Sequence, residues 1–267
     1  MHLEVRVVVP EILEIEVYRK LAERVVGRTI SSVDVFDDWY FKGEQNLADK
    51  TRALLGCKIF NIRRLGKMLI LDLNSSTLGL RFGMTGILLV DGLAAIERLQ
   101  WGSRNINPSW ERFGIKFKNG GRLSISDPRR LGGVQLDPNE KTFGPDAWSL
   151  TAEQLEKVLA NSKGSLKSRL LNQKHLAGLG NLLVDEVLWQ AGLSPLRCSG
   201  ILDDQEKEIL RCAIKSTLEV LKSRGGSHTG DLMANRIIGG CCPRDGQLLK
   251  NQKVAGRSTW WCPAHQH

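Results

Sequence analysis

Long apolar runs are missing from this 267-residue chain; none reaches the roughly 18 residues that a membrane-spanning helix needs, so no membrane partner is expected. Cysteine is sparse. The six cysteines fall at positions 57, 198, 212, 241, 242 and 262, which is too scattered for the disulfide framework of a small secreted protein. The first nine residues, MHLEVRVVV, carry Glu4 and Arg6 and no small-residue cleavage site, so they make a poor secretory signal. These absences lead to the expectation of a cytoplasmic protein. Internal repeats and low-complexity tracts are lacking too, which argues against solenoids and disordered tails. With 42% hydrophobic and 25% charged residues, the chain has enough apolar material for one large core or two modest ones.

Acidic residues are in short supply. There are 29 against 38 Lys and Arg, a formal charge of +9. The surplus is concentrated: residues 210–267 hold nine basic and three acidic side chains, beside the clustered cysteines. A basic end next to a possible metal knuckle favours a polyanion, most simply nucleic acid, although ordinary solubility charge would look the same.

Periodicity predicts a helix over 11–26, with Ile15, Val17, Leu21 and Val25 at helical spacing and Gly27 as its stop. A strand-rich region follows from about 29 to 136. Its clearest hairpin is FGIKFKNGGRLSIS, in which alternation on both sides flanks Asn119-Gly120-Gly121. Many antiparallel-looking strands behind one helix predict a β-sandwich or barrel. The turn-rich segment DPNEKTFGPDAWSL reads as a boundary. Four helical stretches come next: EQLEKVLAN with a Thr151/Gln154 capping box, SLKSRLLNQ, NLLVDEVLWQAG, and the amphipathic DDQEKEILRCAIKSTLEVLKS. The tail from Arg224 is basic and Gly-rich and predicts a terminal hairpin.

Three features carry chemistry. The link AGLGN offers glycines and free amides at a helix start, which suit an anion such as phosphate; a Gly turn with an Asn cap is the bland alternative. The tail reads Cys242-Pro-Arg-Asp245, sixteen residues, then Cys262-Pro-Ala-His265, the layout of a zinc ribbon with Asp and His at two positions. Cys241, His228 and His267 are alternative ligands nearby. Lastly, Lys67 in RRLGKM, Met84 in RFGMTG and the arginines of SDPRRLGG lie on turns. Basic groups with an apolar wedge suit entry into a duplex to replace an extruded base.

In these residues the chain resembles the formamidopyrimidine-DNA glycosylase/endonuclease VIII family of base-excision repair enzymes, closer to the first branch. The resemblance is collinear from Pro10 to the C-terminus. It rests on PEILEIE (10–16), RRLGKMLIL (63–71), RFGMTG (81–86), DPRRLGG (127–133), LKSRLLNQKHLAGLGNLLVDEVLW (166–189) and GRSTWWC (256–262). It implies an α+β multidomain fold in which a leading helix and β-sandwich precede a helix–two-turn–helix domain with a zinc-finger-like β-hairpin, DNA running between the two. On this reading residues 1–9 are an extension foreign to the working protein. Residues 10–137 are then the catalytic domain, 138–148 a linker, 149–223 the helical DNA-binding domain, and 224–267 a recognition loop and hairpin.

The resemblance implies that the nucleophile is the amino nitrogen of Pro10, followed by Glu11 as general acid/base, with Glu14 supporting the site and Lys67 contacting phosphate and damaged nucleotide. Met84, Arg129 and Leu131 would fill the void and address the orphaned base. Arg81, Lys167, Gly180, Asn181 and Arg257 would contact DNA. Cys242, Asp245, Cys262 and His265 would hold one structural zinc ion. The implied partner is double-stranded DNA with damaged bases or abasic sites, bound by a monomer acting at the nucleoid. The implied reaction is base removal coupled to strand cleavage at the abasic site (AP lyase), with oxidised purines such as 8-oxoguanine and formamidopyrimidines as substrates.

The chain also departs from the pattern. Pro10 is preceded by nine residues, and an amide-bonded proline nitrogen has no nucleophilic lone pair. A start at Val9 from an alternative initiator codon, followed by removal of that residue, would expose Pro10. Leu131 stands where the family usually has Phe, Leu13 where it usually has Pro, and GGSHTGDL (225–232) differs from its damaged-base loop. Two other readings therefore stay open within the family: a catalytically inactive DNA-binding member and an oxidised-pyrimidine glycosylase. A zinc-ribbon transcription or RNA factor fits the β-rich half less well.

Overall fold

A computed structural model describes residues 9–96 and 107–267; residues 1–8 of the expected extension lie outside the described residues. The chain divides into two compact units. The first comprises residues 14–140 with the chain up to Pro10, and the second comprises Glu11–Leu13 and Lys141–His267.

The first unit opens with most of α1 (Ile12–Ala22). Then come β1 (Ile30–Val35), β2 (Phe41–Lys42), α2 (Leu47–Leu54), β3 (Ile59–Leu65), β4 (Met68–Leu73), β5 (Thr77–Arg81), β6 (Ile87–Val90), β7 (Leu93–Ala94), β8 (Glu111–Phe117), β9 (Arg122–Ser126) and β10 (Gly133–Leu136). These strands form two five-stranded sheets, in orders β1-β8-β9-β6-β7 and β2-β10-β5-β4-β3. Pairing is antiparallel except where β2 joins β10. The hairpin expected at FGIKFKNGGRLSIS is β8–β9, with Phe113 opposite Ile125 and Ile115 opposite Leu123. Both pairs are fully buried, and with Leu69, Leu71, Leu78, Leu80 and Val134 they fill one core shared with Ile15 and Tyr18 of α1. Side chains alternating at period two supply that inward face.

One element differs from the sequence expectation. The region expected to be strand-rich also contains α2, started by Asn46, whose side chain accepts the Asp49 N–H at 2.8 Å. Its eight residues bury only Lys50 and Leu54, so the helix has too narrow an apolar face to stand out by periodicity.

The second unit contains α3 (Ala152–Leu159), α4 (Leu166–Leu171), α5 (Asn181–Ala191), α6 (Asp204–Arg224) and the hairpin β11 (Lys250–Val254)–β12 (Arg257–Trp261). The Thr151/Gln154 capping box forms as expected, and Asp203/Glu206 makes a second one ahead of α6. Both α5 and α6 stop at a left-handed glycine, Gly192 and Gly225. Ile12 and Leu13 pack in this unit's core with Leu176, Leu179, Leu183 and Leu218.

Candidate functional site

Glu11 shows how the second unit holds a buried carboxylate. The start of α5 lacks a side-chain cap of its own; its N-cap is Gly180, and Asn181 is the first helical residue rather than the expected cap. The orphan amides are satisfied by Glu11, which is 1% exposed. Its Oε2 accepts from the N–H groups of Gly180 (2.6 Å) and Leu183 (3.3 Å), and Oε1 from Leu182 (2.9 Å). The anion that this helix start favours is thus a carboxylate of the chain itself. The Gly180 amide, expected from the resemblance to lie at the DNA, donates here to Glu11. The link is fitted to that end: the Ile12 N–H donates to the Gly178 carbonyl at 3.1 Å. Gly178 adopts φ +117°, and a Cβ there would lie 2.6 Å from Ile12 Cδ1, so only glycine suits the position. Pro10, buried, directly precedes Glu11.

In the first unit, Glu14 is buried, one helical turn before the fully buried Tyr18. Burial, followed by the Glu14 charge, raises the Tyr18 phenol far above its ordinary range. Its hydroxyl donates to the Gly86 carbonyl at 3.0 Å and its ring lies 4.5 Å from that of Phe82. Tyr18 therefore braces the turn 82–86, which carries the half-buried Met84.

Residues of the RRLGKM, RFGMTG and DPRRLGG motifs gather at one end of the second sheet. Met68, first in β4, registers with Arg81, last in β5, and Arg81 with Gly133, first in β10. Lys67, half-buried, sits on the β3–β4 turn beside Met68; Arg81, Arg129 and Leu131 are exposed. Beneath them lies Asp127, fully buried. Its carboxylate accepts from the Thr85 hydroxyl, from the Tyr40 hydroxyl at 3.2 Å and from the Gly132 N–H at 2.8 Å. One side chain thus ties the turn bearing Met84 to the turn bearing Arg129 and Leu131. Gly83 permits the approach, since a Cβ there would come within 2.5 Å of the Leu131 carbonyl carbon, and its φ is +56°. Burial, then the Asp127 charge, raises Tyr40 well above the ordinary tyrosine range, so its hydroxyl keeps the proton it donates. Asp127 and Thr85 lie inside DPRRLGG and RFGMTG, where motif matching points to the basic and apolar residues and not to this pair. The signal was an acid opening a basic turn.

Lys167, predicted to grip phosphate, is fully buried and reaches Asp185 at 2.5 Å and the Ser258 carbonyl at 3.2 Å. The other Asp185 oxygen meets Arg236 at 2.8 Å and the Trp260 N–H at 3.2 Å. Burial lowers Lys167 and raises Asp185, against their mutual attraction. The pair locks α4, α5 and β12 together with the segment containing Arg236. Asn181 also reaches the Ser258 carbonyl, at 3.1 Å, and Arg257 is exposed at the start of β12.

Cys242, Asp245, Cys262 and His265 converge, one ligand atom from each within 4.8 Å of the others. His265 Nδ1 lies 2.8 Å from Asp245 Oδ2 and 3.7 Å from Cys242 Sγ; Cys262 Sγ lies 3.2 Å from Asp245 Oδ2. Tetrahedral zinc with bonds of about 2.0–2.3 Å separates its ligands by roughly 3.3–3.8 Å, so this spacing fits with small adjustment. The donors fit as well, two thiols and an imidazole being common zinc ligands and a carboxylate a permitted one. The Trp189 indole N–H (3.3 Å) and the Arg244 backbone N–H (3.4 Å) both donate to Cys242 Sγ, the outer support that a thiolate ligand needs. Cys241, His228 and His267 are outside this group.

Two domain models match. The N-terminal domain of formamidopyrimidine-DNA glycosylase matches residues 9–134, and the H2TH domain of the same enzyme matches residues 142–231. A formamidopyrimidine-DNA glycosylase from Carboxydothermus hydrogenoformans is 33% identical over 95% of this chain and 98% of its own. One from Pediococcus pentosaceus is 31% identical over 95% and 98%. A Lactococcus lactis Fpg solved with abasic-site DNA is 27% identical, covers 96% of this chain and 99% of its own, and superposes with a TM-score of 0.77. The same protein solved with Fapy-dG DNA gives 0.78 at the same identity, over 96% of this chain. With both domains matched in order and these relatives spanning nearly its full length, the chain belongs to the formamidopyrimidine-DNA glycosylase family.

Proposed function

We propose that this DNA glycosylase of base-excision repair is bifunctional, removing oxidised purines from duplex DNA and then cleaving the strand, with Pro10 as nucleophile. The amine nitrogen bonds to the sugar C1′ as the glycosidic bond breaks and the base leaves, taking up a proton. Protonation of the ring oxygen by Glu11 opens the sugar, and loss of the amine proton leaves an iminium. The iminium acidifies C2′; removal of that proton expels the 3′ phosphate, and a second elimination expels the 5′ phosphate. Glu11 serves as the proton donor and acceptor. The observation that carries this reading is the Glu11 carboxylate, buried, next to Pro10 and held by three backbone N–H groups. Such fixed donors keep a general acid/base oriented through the reaction.

Lys67 addresses phosphate beside the lesion, Glu14 supports the proline end through its place on α1, and Met84, Arg129 and Leu131 replace the extruded base. Arg81, Asn181 and Arg257 contact the DNA backbone. Gly180 and Lys167 act indirectly, by holding Glu11 and the hairpin. One zinc ion on Cys242, Asp245, Cys262 and His265 would supply a structural crosslink for a hairpin with little core of its own. Residues 10–137 are read as the catalytic domain, 138–148 as a linker, 149–223 as the helical DNA-binding domain and 224–267 as the recognition loop and hairpin of a monomer working at the nucleoid.

The test is borohydride trapping on abasic-site duplex. Protein beginning at Pro10 gives a covalent complex, Pro10→Gly greatly reduces it, and protein retaining residues 1–9 gives none, because its proline nitrogen is an amide. Failure of the protein beginning at Pro10 to trap while it binds the duplex would favour the non-catalytic reading. Cleavage of duplexes with single defined lesions separates oxidised purines from oxidised pyrimidines.

A further inference from the structure

Trp39 is 67% exposed, an unusual position for the most apolar-area-rich side chain. It is not loosely placed. Lys42 Nζ lies 3.7 Å from its ring centroid, covering one face with an ammonium and leaving the rest open. Two contacts fasten its segment to the turn that carries Arg129 and Leu131. Tyr40, the next residue, donates to Asp127 at 3.2 Å, and Asp37, two residues earlier, pairs with Arg130, one of its bonds being 2.9 Å. The short strand beginning at Phe41 continues the bond, Phe41 registering with Val134 and Lys42 with Gln135. An exposed indole, backed by a cation, is therefore held at a fixed place beside the wedge turn.

We propose that Trp39 and Lys42 form an additional DNA contact, in which the indole stacks on a nucleobase next to the orphaned base and the ammonium meets that nucleotide's phosphate. This rests on the proposed function, since DNA seated on Arg129 and Leu131 is what brings a nucleotide here. An aromatic face tolerates any base, while a wedge that unstacks the duplex exposes base faces to receive it. Asp37 pairs with Arg130, so its charge is shared between that arginine and Lys42.

The experiment uses the full chain and a duplex with a central non-hydrolysable abasic analogue, followed by fluorescence anisotropy over a salt series and by thermal unfolding. Trp39→Ala is expected to bind about ten-fold more weakly, with its salt slope unchanged. Trp39→Phe keeps a stacking face and stays within about three-fold, while Lys42→Met lowers the salt slope by about one. Melting temperatures stay within about 2 °C, because an exposed ring contributes little to the core. Wild-type affinity in Trp39→Ala overturns the proposal and leaves the glycosylase reading intact; that surface then serves a non-DNA partner or none. Equal losses in the Ala and Phe variants with lowered melting temperatures also overturn it, by showing a structural role. Absence of duplex binding by the wild type overturns both readings.

Discussion

Thr85→Val is the smallest change that uncouples the turn bearing Met84 from the turn bearing Leu131. Valine keeps the shape of threonine and removes the hydroxyl that donates to Asp127. Both residues are fully buried, so water cannot replace the lost donor. A hydrogen bond to a charged group contributes about 1.5–3 kcal/mol, and a methyl group against a buried carboxylate does not restore it. The expected destabilisation is therefore about 2 kcal/mol, a fall of roughly 5–8 °C in the melting of the first unit. Asp127→Asn is worse, at about 4 kcal/mol, because its amide group faces a donor among Thr85, Tyr40 and Gly132. The functional consequence should be selective. On the proposed function, filling the gap left by an extruded base needs Met84 and Leu131 in register, whereas an abasic site has no base to extrude. If about 1.4 kcal/mol of the loss falls on that alignment, single-turnover excision of a lesion slows about ten-fold. Cleavage of a preformed abasic site stays within about two-fold. Urea unfolding measures the first quantity, and paired single-turnover assays measure the second. A Thr85→Val change below about 0.5 kcal/mol, or equal slowing of both reactions, would refute the reasoning.

The buried ion group of the second unit makes a graded prediction. Lys167→Met, which leaves Asp185 paired with Arg236, costs about 3 kcal/mol, and Asp185→Asn, which strands two cations, about 5 by urea unfolding. Lys167→Met should leave the salt slope of DNA binding unchanged, whereas Arg257→Ala lowers it by about one; a lowered slope for Lys167→Met would restore it to the phosphate-contacting set. For pH, Asp37 and Glu140 are held below their ordinary values first by hydrogen bonds from Arg130 and Arg63. Depressed carboxylates stabilise fully above their unfolded values, 3.8 and 4.5, and lose that contribution as pH falls through the lower folded values. Melting temperature should thus be flat above about pH 5 and drop below about pH 4, more gently in Arg130→Gln and Arg63→Gln. Asp245→Cys should hold zinc more tightly than the wild type in a chelator competition, and His265→Ala more weakly; the reverse order would exclude these residues as ligands.

Architecture was legible where the physical signal was local. Alternation with a glycine turn marked β8–β9, and Thr151 with Gln154 marked the start of α3. The spacing of Cys242, Asp245, Cys262 and His265 brought four metal donors into one place although two are not cysteine. The short α2 was illegible because two buried side chains make no periodic face. The fate of Lys167 was illegible for another reason. A lysine at a motif position can point outward or inward, and the choice depends on Asp185, eighteen residues away on another helix. Motif identity is carried by the residue; exposure is decided by the partners that folding brings to it.

The link between Gly178 and Asn181 sharpens that distinction. From sequence, two glycines before a helix offer amides to an anion, and the anion could be solvent, phosphate or protein. What decides among them is competition at short range. A carboxylate that the chain itself delivers pays no association entropy, and Glu11 arrives with Ile12 and Leu13 already buried against Leu176 and Leu179. A phosphate arriving later would have to displace a buried acceptor bonded to three N–H groups, one of them at 2.6 Å. The amides of this helix start are therefore already occupied by Glu11, the residue that follows Pro10. Glu11→Ala would free them, and that variant should gain affinity for inorganic phosphate while losing covalent trapping. Loss of trapping without any phosphate protection of the α5 amides from hydrogen exchange would show that the helix start alone is too weak to hold an anion.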